Sequence, residues 1–251
     1  MQRLTRQASR SVLAAAILLL LPGSPALADA GAPPRPLLLE LFTSQGCSSC
    51  PPADALLREL STRDDLLPLE FHVDYWDNLG WVDPFSAAAF TARQQAYASA
   101  RDFEVYTPQL VVEGKSAVIG SNRGDVFATI ASARHEARSA ASSIRRNGKE
   151  VSLGIDTAGT ASASADVYLL SFDSTDSTSI RGGENAGRNL LYANVVRSIR
   201  KVGEWRNQPL KLTEQLRPDE SGDRLALVVQ DRGGTVWAVA STPAAAAGID
   251  R

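Results

Sequence analysis

Residues 37–60 read Leu-Leu-Leu-Glu-Leu-Phe-Thr-Ser-Gln-Gly-Cys-Ser-Ser-Cys-Pro-Pro-Ala-Asp-Ala-Leu-Leu-Arg-Glu-Leu, and the change of period inside this stretch decides the fold class. Leu37 to Phe42 is a short apolar run ended by polar residues, the pattern of a buried parallel strand. Pro51 and Pro52 stand where a helix begins, because a missing N–H is harmless in a first turn. Ala53, Leu56, Leu57 and Leu60 then recur at i, i+3, i+4 and i+7, one apolar helical face. Leu67 to Tyr75 predicts a second strand, with Leu69, Phe71, Val73 and Tyr75 on one side. Strand, helix and strand with no room for a hairpin imply a parallel crossover.

Working outward, Trp76 to Ser86 reads as a loop and Ala87 to Arg101 as a helix. Tyr106-Thr107-Pro108-Gln109 then leads into two short strands, Leu110 to Glu113 and Ala117 to Ile119, around a Gly114-Lys115 turn. Asn122 is a candidate N-cap for a long final helix from Asp125 to about Ile144. Asn147-Gly148 marks an expected boundary, after which strand-like runs take over: Glu150 to Ile155, Val167 to Phe172, Leu190 to Val196, Arg224 to Gln230 and Thr235 to Val239. The expectation is an α/β chain: a βαβαββα domain over 37–147, then a small antiparallel, sandwich-like β-domain over 148–242, with 243–251 a tail.

The chain has only two cysteines, Cys47 and Cys50, three positions apart at the strand-to-helix junction. A structural staple would gain little there, since loop-closure stabilisation grows with loop length and this loop is tiny. A redox or metal role is favoured. The unpaired N–H groups and positive dipole end of a helix start stabilise a thiolate. Cys47 is the expected attacking thiol and Cys50 the more buried resolving one, with Ser48 and Ser49 able to donate to the thiolate. Glu40 and His72 lie on strands expected to be neighbours, which allows either a carboxylate–imidazole pair near the cysteines or a plain sheet-face hydrogen bond. Nine of the 16 aromatic residues fall between Phe71 and Tyr106; they form either core or a platform exposing Trp76, Trp81 and Phe85 to a partner chain. The loop Gly182-Gly183-Glu184-Asn185-Ala186-Gly187-Arg188 lacks the ending of a phosphate-binding loop; it is either a hairpin connection or a cover over the cysteines in which Arg188 brings positive charge.

At the front, Arg3, Arg6 and Arg10 precede the apolar run Val12 to Leu21, and Ala26-Leu27-Ala28 offers a small-x-small cleavage site. Residues 1–28 are therefore expected to be a secretory signal peptide, with 29–36 a leader, and the protein to be periplasmic or secreted. The apolar run is too short for a membrane span. Three of the 26 basic and none of the 28 acidic residues lie in the expected signal peptide, so the mature net charge is −5. A mildly acidic chain with no basic run excludes nucleic acid as a partner.

The element order, the CxxC at the first strand–helix junction and Thr107-Pro108 ahead of the hairpin resemble the thioredoxin superfamily. The resemblance implies that Pro108 is a cis-proline lying against the redox pair and that the Thr107 backbone pairs with a bound chain. The run Glu40 to Asp54, His72-Val73-Asp74-Tyr75-Trp76-Asp77, Arg93-Gln94 with Tyr97, Tyr106 to Gln109, and Gly183 to Arg188 are similar to the blocks of an exported bacterial family, domain of unknown function 1223. That implies a thioredoxin-like domain with a β-rich extension and no assigned reaction. Where the superfamily often places a carboxylate six residues before the first cysteine, this chain has Leu41, and Glu40 points to the opposite face. The expected function is thiol–disulfide exchange without a cofactor, on protein or small-molecule thiols and disulfides of the periplasm. Cys47, Cys50 and Pro108 would carry the chemistry, and Thr107, Trp76 and Trp81 the substrate contacts. Cu(I) or Zn handling through the thiolates and an imidazole, and a non-catalytic binding scaffold, are the alternatives.

Overall fold

The computed structural model describes residues 35–136, 140–159 and 163–243; the expected signal peptide, nearly all of the leader and most of the tail lie outside them. The first elements are β1 (Leu37–Thr43), α1 (Pro51–Leu60), β2 (Leu66–His72), α2 (Ala88–Arg101), β3 (Gln109–Val112), β4 (Ser116–Ile119) and α3 (Arg123–Glu136). This is the expected βαβαββα order. Seven strands follow: β5 (Ser142–Asn147), β6 (Glu150–Ile155), β7 (Ala165–Ser179), β8 (Asn189–Trp205), β9 (Leu210–Gln215), β10 (Arg224–Gln230) and β11 (Val236–Ser241).

Eight strands form one mixed sheet in the order β11-β10-β7-β8-β2-β1-β3-β4, and β5-β6-β9 form a separate small antiparallel sheet. β1 runs parallel to β2, placing Thr43 opposite His72, and antiparallel to β3. All seven β1 residues are buried, as a run apolar on both faces requires. Its alternation divides two cores: Leu37, Leu39 and Leu41 meet α1 and α3, whereas Leu38 and Phe42 meet Phe90 and Tyr97 of α2. The same alternation divides β10. Ala226 and Val228 join the α2-side core, while Leu225, Leu227 and Val229 pack with Leu153 and Trp205 in the core beneath the small sheet.

Four β-rich-segment strands therefore extend the main sheet, and a sandwich layer forms only where the small sheet stacks on it. The 147/148 boundary falls in the tight turn between β5 and β6, with Gly148 in the left-handed region that such turns require. The long helix expected to reach Ile144 corresponds to α3, Arg123–Glu136. Ile144 instead sits on β5 opposite Leu153, because its side chain is buried by the small sheet's core. β7 runs past the expected Val167 to Phe172 run as far as Ser179. Its Ser, Thr and Asp residues belong to a two-stranded ribbon in which Thr175 pairs with Ala193 and Ser179 with Asn189.

Candidate active site

β1 delivers the chain to a tight turn. The Cys47 amide donates to the Ser44 carbonyl, the Cys50 amide to the Cys47 carbonyl, and Cys50 is the N-cap of α1. Cys47 and Cys50 are joined by a disulfide with Cα atoms 5.4 Å apart. The Ser49 hydroxyl approaches Cys47 Sγ at 3.4 Å, whereas the Ser48 contribution is its amide, which donates to the Glu184 carboxylate at 3.1 Å.

Cys47 was expected to be the outer thiol, yet both cysteines are 0% exposed. The cause is the connection between β7 and β8, which covers the cysteine turn. Asn185 Nδ2 donates to the carbonyls of both Gln45 and Cys47 at 2.9 Å, and Arg188 Nη1 holds Asn185 Oδ1 at 2.9 Å. Gly182 crosses Gly80 so closely that any side chain there would collide with the Gly80 carbonyl. The loop meets both descriptions: it joins β7 to β8 as a hairpin connection, and it lies over the cysteine turn. Arg188 acts on the turn through Asn185, while Glu184 brings a negative charge to an amide beside Cys47.

A second loop frames the turn from the other side. Trp81 Nε1 donates to Gln45 Oε1 at 2.9 Å, and Trp76 Nε1 to Thr107 Oγ1 at 3.0 Å, while the Trp76 side chain fills the space beside Gly46. Trp76, Trp81 and Phe85 are half-buried rather than a free platform, because their polar tips and ring faces are engaged; Arg197 stacks on Phe85 at 4.4 Å. The exposed large apolar residues of this region are Tyr75, Leu79 and Val82. The Thr107–Pro108 peptide bond is cis, and Gly120, whose amide donates to the Pro108 carbonyl, lies against Leu41 and Ala53 of α1. Trp76, Trp81 and, through Asn185, Arg188 thus frame the turn that carries Cys47 and Cys50, and Thr107 joins it through Trp76, with Pro108 next in the chain.

Glu40 is not part of it. Its carboxylate lies on the α2 side, where it receives Arg93 Nε at 2.5 Å and Nη2 at 3.1 Å together with the Tyr97 hydroxyl. The expected Glu40–His72 pair is absent because strand alternation puts Glu40 on one face and His72 on the other. His72 Nδ1 instead meets Asp83 Oδ2 at 2.7 Å, and its Nε2 stands 3.9 Å from Glu70 Oε2, beyond hydrogen-bond reach. Burial works against an imidazolium here, but Asp83 and Glu70 outweigh it and hold the His72 proton on. Asp83 Oδ2 also accepts the Gln45 amide at 2.8 Å, so this ion pair anchors the turn that leads into the cysteines.

Four further residues extend this buried cluster: Asp54, Thr43, Glu70 and Tyr192. Asp54 lies on the inward face of α1 and accepts from Thr43 Oγ1 at 2.6 Å. Burial pushes its carboxyl up to about 6 and also raises Glu70 and the Tyr192 hydroxyl. Sequence reasoning did not select these residues, although Asp54 carries a signal: a charge in register with Ala53, Leu57 and Leu60. Among the described residues, no group of three or more His, Cys, Asp or Glu side chains is arranged to hold a metal ion. None of the described helices is long and apolar enough to cross a membrane.

Fold and site together define an α/β protein with a covered CxxC disulfide at the start of its first helix. The chain belongs to the family described as "Protein of unknown function (DUF1223)", whose model matches residues 38–230. It is similar to the X-ray crystal structure of protein AGR_C_4864 from Agrobacterium tumefaciens, with 26% identity, a TM-score of 0.72, and coverage of 88% of this chain and 100% of that one. None of the curated proteins matches it.

Proposed function

We propose that this chain is an exported, thioredoxin-like thiol–disulfide oxidoreductase acting through Cys47 and Cys50. The observation that carries the reading is the Cys47–Cys50 disulfide at the N-cap of α1, on the strand–turn–helix unit of β1 and α1. A helix start supports a thiolate in the reduced form, and the second sulfur is positioned to resolve a mixed disulfide. In the exchange, the Cys47 thiolate attacks a partner disulfide and releases one partner thiolate. Cys50 then attacks Cys47, regenerates the intramolecular bridge and releases the second thiolate. The partner is reduced by two electrons and the cysteine pair is oxidised by two; the reverse sequence oxidises a dithiol. The arginine-rich, apolar leader supports action in an oxidising compartment outside the cytoplasm.

The test is a full-length Cys50→Ser variant expressed with its leader. It should accumulate covalent partners through Cys47, and the purified wild-type protein should reduce or oxidise a model substrate. A variant that captures nothing, together with a wild-type protein inert toward both a model disulfide and a model dithiol, would overturn the reading.

A further inference from the structure

Resolution by Cys50 raises a proton question that the burial of the site makes acute. Cys50 must lose its thiol proton to attack, yet it is 0% exposed and the loop from Gly182 to Arg188 covers the turn. A nearby protein group must take that proton. Cys50 has helical backbone angles, and the Asp54 amide donates to the Cys50 carbonyl at 3.1 Å, so the two residues stand in i, i+4 relation. Side chains so related are neighbours on one helix face. That face is the buried one, shared with Ala53, Leu57 and Leu60.

We propose that Asp54 is the proton acceptor for Cys50, directly or through one water. The role rests on the thiol–disulfide reading above. As Cys50 attacks, its proton passes to the Asp54 carboxylate, a new bond forms between Cys50 and Cys47 sulfurs, and the bond from Cys47 to the partner sulfur breaks, its electron pair leaving on the partner thiolate. In the opposite direction the Asp54 carboxylic acid returns the proton to Cys50 as the bridge opens.

The surroundings of Asp54 suit a group that changes protonation. Thr43 of β1 gives it one hydrogen bond, and burial pushes the carboxyl up to about 6, so both forms are accessible near neutral pH. Facing it are His72 and Glu70 from β2, Asp83 from the following loop, Tyr192 from β8, and Arg188. His72 and Asp83 are held as an ion pair, and Glu59 of α1 is bound to Arg123, which leaves Asp54 as the buried carboxyl of the cysteine-bearing helix. It also lines a cleft of about 340 Å³ walled by Pro51, Arg58, Arg188 and Leu191, through which the proton can pass to solvent.

The test follows single-turnover reaction of the reduced full-length protein with oxidised glutathione. In Asp54→Asn, closure of the Cys47–Cys50 bridge at neutral pH should slow by about 100-fold and lose its dependence on a group titrating near 6. Formation of the Cys47 mixed disulfide, read in a Cys50→Ser background, should be unaltered. Closure at the wild-type rate and with the wild-type pH profile would overturn the role of Asp54 alone. A wild-type protein that forms no mixed disulfide would overturn the redox reading and this role with it. Should Asp54→Asn fail to fold, the Asp54 carboxyl is titrated by NMR in the wild-type protein before and after reduction with dithiothreitol. A midpoint shifted by about one pH unit between the two states supports the coupling, and identical midpoints overturn it.

Discussion

At Asp54 a carboxyl stands where the helical period calls for an apolar side chain, and that has a thermodynamic signature of its own. The group is 3% exposed, and burial outweighs both the Thr43 hydrogen bond and the favourable helix start, pushing its carboxyl from 3.8 up to about 6. Between those values the native protein holds a proton that the unfolded chain has released. Unfolding free energy therefore falls as pH rises through this window and stays lower above it. Asp54→Asn keeps an acceptor for Thr43 and removes the buried charge, so it should stabilise the protein by roughly 2–3 kcal/mol at about pH 8 and by almost nothing at about pH 3.5. Thermal melts at the two pH values decide it; an equal shift at both would show that the carboxyl is not the cause. At this scale the cysteines were legible because their spacing is improbable by chance, and the orientation of Glu40 because strand alternation is strict. Asp83 and Asn185 were not, since they reach the turn from 38 and 138 residues away.

Among the elements, the β7–β8 hairpin lies over the turn that carries the disulfide. Asn185 is buried and its amide satisfies two carbonyls of the cysteine turn. Truncating it removes the Asn185 donor from the Gln45 carbonyl and leaves the Cys47 carbonyl with the Cys50 amide alone, a loss of about 1–3 kcal/mol that raises the open population of the cover by roughly 10- to 100-fold. Asn185→Ala should therefore speed reduction of the Cys47–Cys50 bridge by dithiothreitol by about tenfold or more and lower the exchange protection of the amides in the cysteine turn. Unchanged reduction kinetics would mean that the loop does not limit access. This hairpin was the least readable element. From Asp173 to Ser179 its residues are Ser, Thr and Asp in a half-exposed ribbon, and without an apolar face a strand carries no period-2 signal. The turn between β5 and β6 did carry a signal: Asn147-Gly148 ahead of the strand-like run Glu150 to Ile155 is a hairpin signature as readily as the boundary expected after a helix.

For the molecule as a whole, the core beneath α2 draws on both halves of the chain. Leu38, Phe42, Phe71 and Phe90 pack with Leu170, Phe172, Val196 and Val228, and β8 lies along the edge of β2. A fragment ending at residue 147 would expose that face and an unpaired strand edge. It is expected to lack a cooperative thermal transition and near-ultraviolet dichroism, whereas the full chain should melt in one step; a fragment that folds on its own would refute this. The local rules read from residues 37–60 were enough to predict β1, α1 and β2, because an apolar run and a 3.6-residue period are properties of neighbouring residues. They also located the cysteine pair, since three-residue spacing is written along the chain. Long-range packing was needed to join β8 to β2, to bring Asn185 and Glu184 over the cysteines, and to bury Asp54, His72, Glu70 and Asp83 in one cluster. Such contacts depend on which surfaces exclude water together, and that is a property of the assembled cores rather than of any single segment.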